Sequence, residues 1–188
     1  MPTRSAAPGC TERRLPALAL AALAACAWGY EDGAPPGHTG GHGEPDCTAC
    51  HADNERNDAA GALTVLGLPE RYAPGARYAL SVVLEHPELE AGGFQLAIRG
   101  PDGEAAGRLV AADDRTRLLE ADGGRYLQHT AEGRKTVEDG RIAWQLVWQA
   151  PDGGRPVWLH LAANAANDDL SALGDFIYTL EKRLEAAD

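Results

Sequence analysis

Two cysteines and a histidine stand together in the segment Cys47-Thr48-Ala49-Cys50-His51. Two thiols at this spacing add across the two vinyl groups of heme as thioethers, and the imidazole that follows binds the iron as the proximal axial ligand. The spacing therefore predicts one covalently attached heme c, with Cys47 and Cys50 as the points of attachment and His51 as an iron ligand.

Two other chemistries stay open for this segment. His38 and His42 precede the cysteines, so the four side chains together offer a tetrahedral set of ligands for zinc. In an oxidising compartment Cys47 and Cys50 could instead form a disulfide that ties a loop. A thioredoxin-like pair is disfavoured, because the cysteines lie in a Gly- and Pro-rich segment with no strand before it and no helical pattern after it.

A second axial ligand from this chain must be a histidine. The only methionine is Met1, which lies in the leader described below, so a His/Met iron site within one chain is excluded. The iron is then either bis-histidine or five-coordinate with an open face. The histidines that compete for the distal position are His38, His42, His86, His129 and His160.

We expect His129, at the end of a short predicted strand, to be the distal iron ligand. His38 and His42 lie on a glycine-rich arm, where the short tether to the motif makes the opposite face of the porphyrin awkward to reach. His160 is expected to be a half-buried sheet histidine, and His86 to belong to an acidic, exposed turn.

The N-terminal residues have the pattern of an export signal. The run LPALALAALAA over residues 15–25 follows Arg13 and Arg14 and is too short to span a bilayer. It leads into the sequence LAAC, the residue types that bacterial lipoprotein processing accepts, with Cys26 as the residue that would receive the lipid. We therefore expect residues 1–27 to be a signal peptide. The mature protein is then periplasmic, or an outer-membrane or cell-surface lipoprotein anchored through Cys26.

The chain is strongly acidic. It has 17 Lys and Arg against 28 Asp and Glu, a formal net charge of −11 at pH 7. A nucleic-acid-binding protein needs a basic surface that replaces the counterions of the phosphates, so nucleic acid is excluded as a partner. A redox partner is expected to present a basic docking patch. Self-association of the chain also stays open.

Alternating apolar residues predict short strands from residue 61 onward. The clearest run is Ile142, Trp144, Leu146 and Trp148, and similar runs cover residues 63–65, 78–84, 94–98, 108–111, 117–120, 126–130 and 157–163. The C-terminal run, 175–184, could be a strand or a short helix, and its β-branched and aromatic residues favour a strand.

Eight or nine strands at this spacing are typical of an all-β, immunoglobulin-like antiparallel β-sandwich, which we place at residues 61–184. We expect its core to contain Trp144, Trp148 and Trp158. Residues 28–60 are rich in Gly and Pro and are predicted to form an irregular arm that carries the heme.

An acidic, amide-rich loop precedes the last predicted strand and contains Asn164, Asn167, Asp168, Asp169 and Asp175. Such oxygen ligands suit calcium. Because the loop lacks EF-hand spacing, turn and capping hydrogen bonds are its expected role.

Four separated stretches carry a family resemblance: GAPPGHTGGHGEPDCTACH (33–51), AGGFQLAIR (91–99), YLQHT (126–130) and AANAANDDLSALGDFIYT (162–179). Together they resemble the Reeler-like, choice-of-anchor V domains of secreted bacterial proteins. The resemblance implies a Reeler-like β-sandwich preceded by a cysteine-containing arm, and by itself it implies no enzymatic activity. Many such proteins carry an outer-membrane anchor or a sorting signal. The sequence stops at Asp188 with no C-terminal anchoring segment, so we expect any anchor at Cys26.

These features together predict an extracytoplasmic monoheme c-type cytochrome that transfers electrons through its heme. No Ser-His-Asp order, phosphate-binding glycine loop or paired-carboxylate motif supports a hydrolase, so an electron carrier is favoured over an enzyme. Two alternatives stay open. One is a secreted β-sandwich that binds another protein, with Cys47 and Cys50 in a disulfide; the other is a heme sensor or enzyme with an open iron face.

Overall fold

Ten β-strands make up most of the regular structure. The computed structural model describes residues 30–121 and 123–187, and the predicted signal peptide with Cys26 lies outside them. The strands are β1 (Ala62–Leu66), β2 (Arg71–Tyr72), β3 (Arg77–Glu85), β4 (Ala91–Arg99), β5 (Arg108–Ala111), β6 (Thr116–Ala121), β7 (Gly124–His129), β8 (Arg141–Gln149), β9 (Val157–Ala166) and β10 (Phe176–Ala186). The one other regular element of these residues is a 3-10 turn at Cys47–Ala49, so the all-β prediction is confirmed.

The strands form two sheets that pack as a sandwich. One sheet has four strands in the order β1-β3-β8-β5, and the other has six in the order β2-β10-β9-β4-β7-β6. Within the described chain every strand pairing is antiparallel except the short one between β2 and the end of β10, which is parallel. The predicted immunoglobulin-like antiparallel β-sandwich is therefore confirmed, and the C-terminal run is a strand.

The core lies between the two sheets and is filled from alternate positions of the strands. Trp144 and Trp148 of β8 are fully buried there. Their indole N–H groups donate to the backbone oxygens of Gly133 and Ala106, at 2.7 and 3.0 Å. Each ring is thus buried without leaving its one donor unpaired.

Two expectations about burial were wrong. Trp158 alternates with the core residues Val157 and Leu159, so it lies on the outer face of the six-stranded sheet, half-buried under the guanidinium of Arg183. His86 is buried rather than exposed, and its Nε2 is 3.9 Å from Asp58 Oδ1, because the residues before β1 pack over the turn that follows β3.

The arm, residues 30–60, covers the outer face of the six-stranded sheet. Polar side chains that point outward from this sheet are buried beneath it: Gln95, Arg99, Gln128 and His160. Glu44 of the arm accepts a hydrogen bond from Tyr126 at 2.6 Å and pairs with Arg99, and the His42 ring meets the His160 ring edge-on at 5.0 Å between centroids. Contacts with the arm thus replace the water that these outward positions would otherwise meet.

Replacing Glu44 by Gln should destabilise the protein by about 3 kcal/mol at neutral pH, because Arg99 would keep its buried charge without a carboxylate partner. Burial alone raises the pKa of Glu44, but hydrogen bonds from Thr39, Tyr126 and Arg99 bring it below its usual value. A carboxyl of this kind stabilises the fold above its unfolded-state pKa and stops doing so as the pH falls through its folded-state pKa. Urea unfolding should therefore show a difference between wild type and Glu44→Gln that shrinks in acid.

Glu120→Gln is the matched control for that experiment. Glu120 pairs with Arg125 at 3.0 Å, but both side chains are exposed, and pairs of this kind contribute about 0–1 kcal/mol. Equal losses of stability in the two variants, or a loss at Glu44 that does not depend on pH, would show that Glu44 does not anchor the arm.

Candidate heme-binding cleft

The Cys47–Ala49 turn places the two thiols on one side of the arm. Asp46 caps the turn, since its Oδ1 accepts from the Thr48 backbone N–H at 2.8 Å. The backbone N–H groups of Cys50 and His51 both donate to the Cys47 oxygen, at 3.2 and 3.0 Å. Because side chains three residues apart eclipse each other in a 3-10 turn, Cys47 and Cys50 face the same way. Both line one cleft together with His51.

The His51 imidazole is oriented by a buried carboxylate. Its Nδ1 lies 2.6 Å from Oδ2 of Asp175, whose side chain is 1% exposed. The same Oδ2 accepts from Asn164 Nδ2 at 2.9 Å, and Oδ1 accepts from the Asn167 backbone N–H at 3.3 Å. A neutral imidazole that donates from Nδ1 keeps its lone pair on Nε2, which is the arrangement of a metal-ligating histidine held by a second residue.

The cleft opens on the outer face of the six-stranded sheet. One wall is the arm, through Ala34, Pro35 and His38, and the floor is the first half of β4, residues 91–95. Gly93 is required in this floor. A Cβ there would lie 2.5 Å from Cε1 of His129, closer than atoms can approach.

His129, the predicted distal ligand, lies at this cleft. Strand β7 pairs with β4 only at Gln95 and Leu96, so Phe94 has no backbone partner in β7. The His129 ring takes the place of that partner, because its Nδ1 accepts a hydrogen bond from the Phe94 N–H at 3.1 Å. Burial lowers the pKa of His129 to about 4, which keeps the imidazole neutral at physiological pH.

His38 also lines the cleft, besides His51 and His129. Its backbone N–H donates to Gln95 Oε1 at 2.7 Å, and its Nδ1 is 2.9 Å from the Pro35 carbonyl oxygen. The other histidines lie elsewhere: His42 against His160, and His86 stacked on Phe176 with centroids 3.9 Å apart. The four residues considered as zinc ligands are therefore not brought together, because His42 is turned toward His160.

Both cysteines are free thiols. Burial raises the pKa of the half-buried Cys47 thiol to about 12, and the Asp46 carboxylate adds to the effect. Because the thiolate is the nucleophile in disulfide exchange, this environment does not suit a thioredoxin-like redox pair.

The residues of the cleft fit a covalently bound heme. They supply two thiols on one side of a turn, an imidazole with a free Nε2, and a floor formed by the small residues 91–93 of β4.

Sequence reasoning missed the residues that orient His51. Asp175 and Asn164 were expected to make turn hydrogen bonds, and they do contact neighbouring polar groups. Their contact with the arm depends on the pairing of β9 with β10, which brings Asn164 opposite Ile177, next to the start of β10. A lone Asp ahead of a strand carries no local signal of that role.

Comparison with known proteins shows the fold. No protein-family model matches the sequence, and no curated protein matches it significantly. Among solved structures, the Reelin-N domain of F-spondin is similar over 75% of this chain and 97% of that one, with 21% sequence identity and a TM-score of 0.50. A human F-spondin reeler domain is similar over 71% of this chain and 95% of that one, with 23% identity and a TM-score of 0.49. The fold is Reeler-like.

In the part of the chain described, no helix has the length and apolar character needed to cross a membrane.

The two thiols should differ in reactivity when no heme is attached. In protein made without heme-attachment machinery, iodoacetamide at about pH 8 should label the exposed Cys50 well before Cys47, of which only about one molecule in ten thousand would be a thiolate. Peptide mapping by mass spectrometry locates the label, and Cys50→Ser tests that Cys47 stays slow by itself. Equal or faster labelling of Cys47 would contradict the described environment.

Proposed function

We propose that this protein is an extracytoplasmic monoheme c-type cytochrome that carries electrons. The observation that supports it most is the His51 imidazole, held through Nδ1 by the buried Asp175 beside two free thiols at one cleft. A heme bound there supplies reversible one-electron chemistry at its iron. Cys47 and Cys50 would hold it covalently, and His51 would ligate the iron.

The residues around Cys47, Cys50 and His51 have separate roles in this proposal. Asp175 keeps the His51 ring in one orientation and one tautomer, which a ligand on an irregular arm cannot do alone. The small residues 91–93 of β4 form the floor of the cleft and leave room for the heme. We propose an electron carrier rather than an enzyme, because the sequence carries no hydrolase motif.

Export is part of the proposal and rests on the sequence. Attachment of heme c takes place outside the cytosol, so the predicted signal peptide and the motif agree with each other. The resemblance to secreted bacterial choice-of-anchor V domains supports the same location, the periplasm or the outer surface. Lipidation of Cys26 would fix the protein to a membrane.

We propose a redox partner with a basic docking patch at the mouth of the cleft. Leu170, 73% exposed, lines this mouth beside Asp169 and Asp168, and Asp168 is paired with Arg134. An apolar contact flanked by carboxylates suits a partner that presents lysines or arginines around its own redox centre, and the association rate should fall as salt screens these charges.

Covalent heme is the first test. Protein exported in a host with heme c attachment machinery should contain one covalent heme per chain, measured by a pyridine hemochrome spectrum and by intact mass. Cys47→Ala and Cys50→Ala should each lose a thioether, and the double variant should hold no covalent heme. Exported wild-type protein with no heme and with Cys47 joined to Cys50 by a disulfide would overturn the cytochrome and favour the binding module.

Asp175→Asn should raise the reduction potential of the heme. A carboxylate that accepts from Nδ1 makes the imidazole a stronger donor to ferric iron, and its removal should shift the redox equilibrium about tenfold, roughly 60 mV for one electron. Potentiometric titration measures the shift. Asp169→Asn removes a charge from the mouth of the same cleft without touching His51 and should change the potential far less. Equal shifts would mean that Asp175 acts only through its charge.

A further inference from the structure

Besides His51, the cleft is lined by His38 and His129. These two histidines differ in which ring nitrogen carries the lone pair. A neutral imidazole has one protonated and one unprotonated nitrogen, and only the unprotonated one binds a metal. The partner of Nδ1 therefore decides whether Nε2 is free to ligate. A backbone N–H can only donate and a carbonyl oxygen can only accept, so the two partners fix opposite tautomers.

His129 holds the tautomer that is unsuited to ligation through Nε2. The Phe94 N–H donates to its Nδ1 at 3.1 Å, whereas the Phe94 carbonyl oxygen is farther away, at 3.4 Å. The proton of the neutral ring is thus on Nε2. Binding iron through Nε2 would require that proton to move to Nδ1, and the Phe94 N–H would then lose its acceptor beneath the arm.

His38 holds the opposite tautomer. Its Nδ1 lies 2.9 Å from the Pro35 carbonyl oxygen, so Nδ1 donates and Nε2 keeps the lone pair. His51 has the same arrangement, with Asp175 as the acceptor. His38 is half-buried and lines the cleft, so a ligand can reach its ring without a rearrangement of the sheet.

The sheet register places the anchors of His38 and His51 side by side. His51 Nδ1 is 3.4 Å from Asn164 Nδ2, and Asn164 lies opposite Gly93 in the pairing of β9 with β4. The backbone of His38 is fixed to Gln95, two residues along β4 from Gly93 and on the same face, roughly 7 Å away. The anchors of both histidines thus lie on the outer face of the sheet near Gly93, where the absence of a side chain leaves room for the His129 ring.

The chain between His38 and the motif leaves the cleft and returns to it. The chain between them folds out into a loop, in which Glu44 N–H donates to Gly41 O and Gly40 N–H donates to Pro45 O, both at 2.9 Å. Glu44 pins this loop to Arg99 and Tyr126. The arm therefore passes the cleft at His38, leaves it, and returns to it at Cys47.

We propose that His38, rather than His129, is the second axial ligand of the heme iron, so that the iron is ligated by two histidines of the arm. This inference rests on the proposed function. His129 then has a structural role, as the acceptor that completes the hydrogen bonding of β4 where β7 diverges from it.

The test compares His38→Gln with the matched variant His129→Gln in heme-loaded protein. Gln can replace each histidine in its own contact, donating to Pro35 O or accepting from the Phe94 N–H, but it brings no imidazole. Electron paramagnetic resonance and absorption spectra of the ferric protein report spin state, and thermal melting reports folding. We expect a low-spin wild type, complete loss of the low-spin signal in His38→Gln with restoration by added imidazole, and a low-spin His129→Gln.

Three results overturn the inference: a low-spin His38→Gln, a high-spin wild type, or a high-spin His129→Gln that imidazole restores, the last in favour of His129. If both variants turn high-spin, the inference stands only where imidazole restores His38→Gln and leaves His129→Gln unchanged. The heme content of the wild type separates failure of the proposed function from failure of the His38 assignment. A wild type without covalent heme overturns both. A fully loaded protein with the wrong spin states overturns only the assignment of His38 as iron ligand.

Discussion

The position of the motif depends on one buried carboxylate. Asp175 is almost inaccessible to solvent, and it accepts hydrogen bonds from the arm through His51 and from the sheet and its following loop through Asn164 and Asn167. A charge at such depth is costly unless donors surround it. The sheet therefore needs the arm to complete the donors around Asp175, and the arm needs the sheet to hold its imidazole in place. Neither part has its described geometry without the other.

The same dependence extends along the whole outer face of the six-stranded sheet. In an ordinary sandwich the outward positions of a strand meet water, but here Gln95, Arg99 and Gln128 are buried under a segment with almost no regular structure. Each has a partner in the arm: Pro35 for Gln95, Glu44 for Arg99, and Asp32 for Gln128. Specific polar pairs, rather than a helix or strand, thus give the arm a defined path.

Local patterns in the sequence were enough to predict most of the fold. Alternation of apolar residues predicted eight of the strands and residue types favoured a ninth at the C-terminus, whereas the heme chemistry of Cys47, Cys50 and His51 stays a prediction. Contacts between distant parts of the chain could not be predicted. Trp158 looks like a core residue by type, and only the register of β9 shows that it faces outward. The sequence favoured His129 over His38 as the distal ligand, and only the structure shows which backbone atoms their rings contact.

The place of Asp175 in the chain has a consequence for assembly. The arm is made before any strand, whereas Asp175 stands just before the last one. The carboxylate that orients His51 is therefore added only when the chain is nearly complete, and the arm cannot take its final position against the sheet before then. If the protein carries the proposed heme, attachment to Cys47 and Cys50 can precede the docking of the arm.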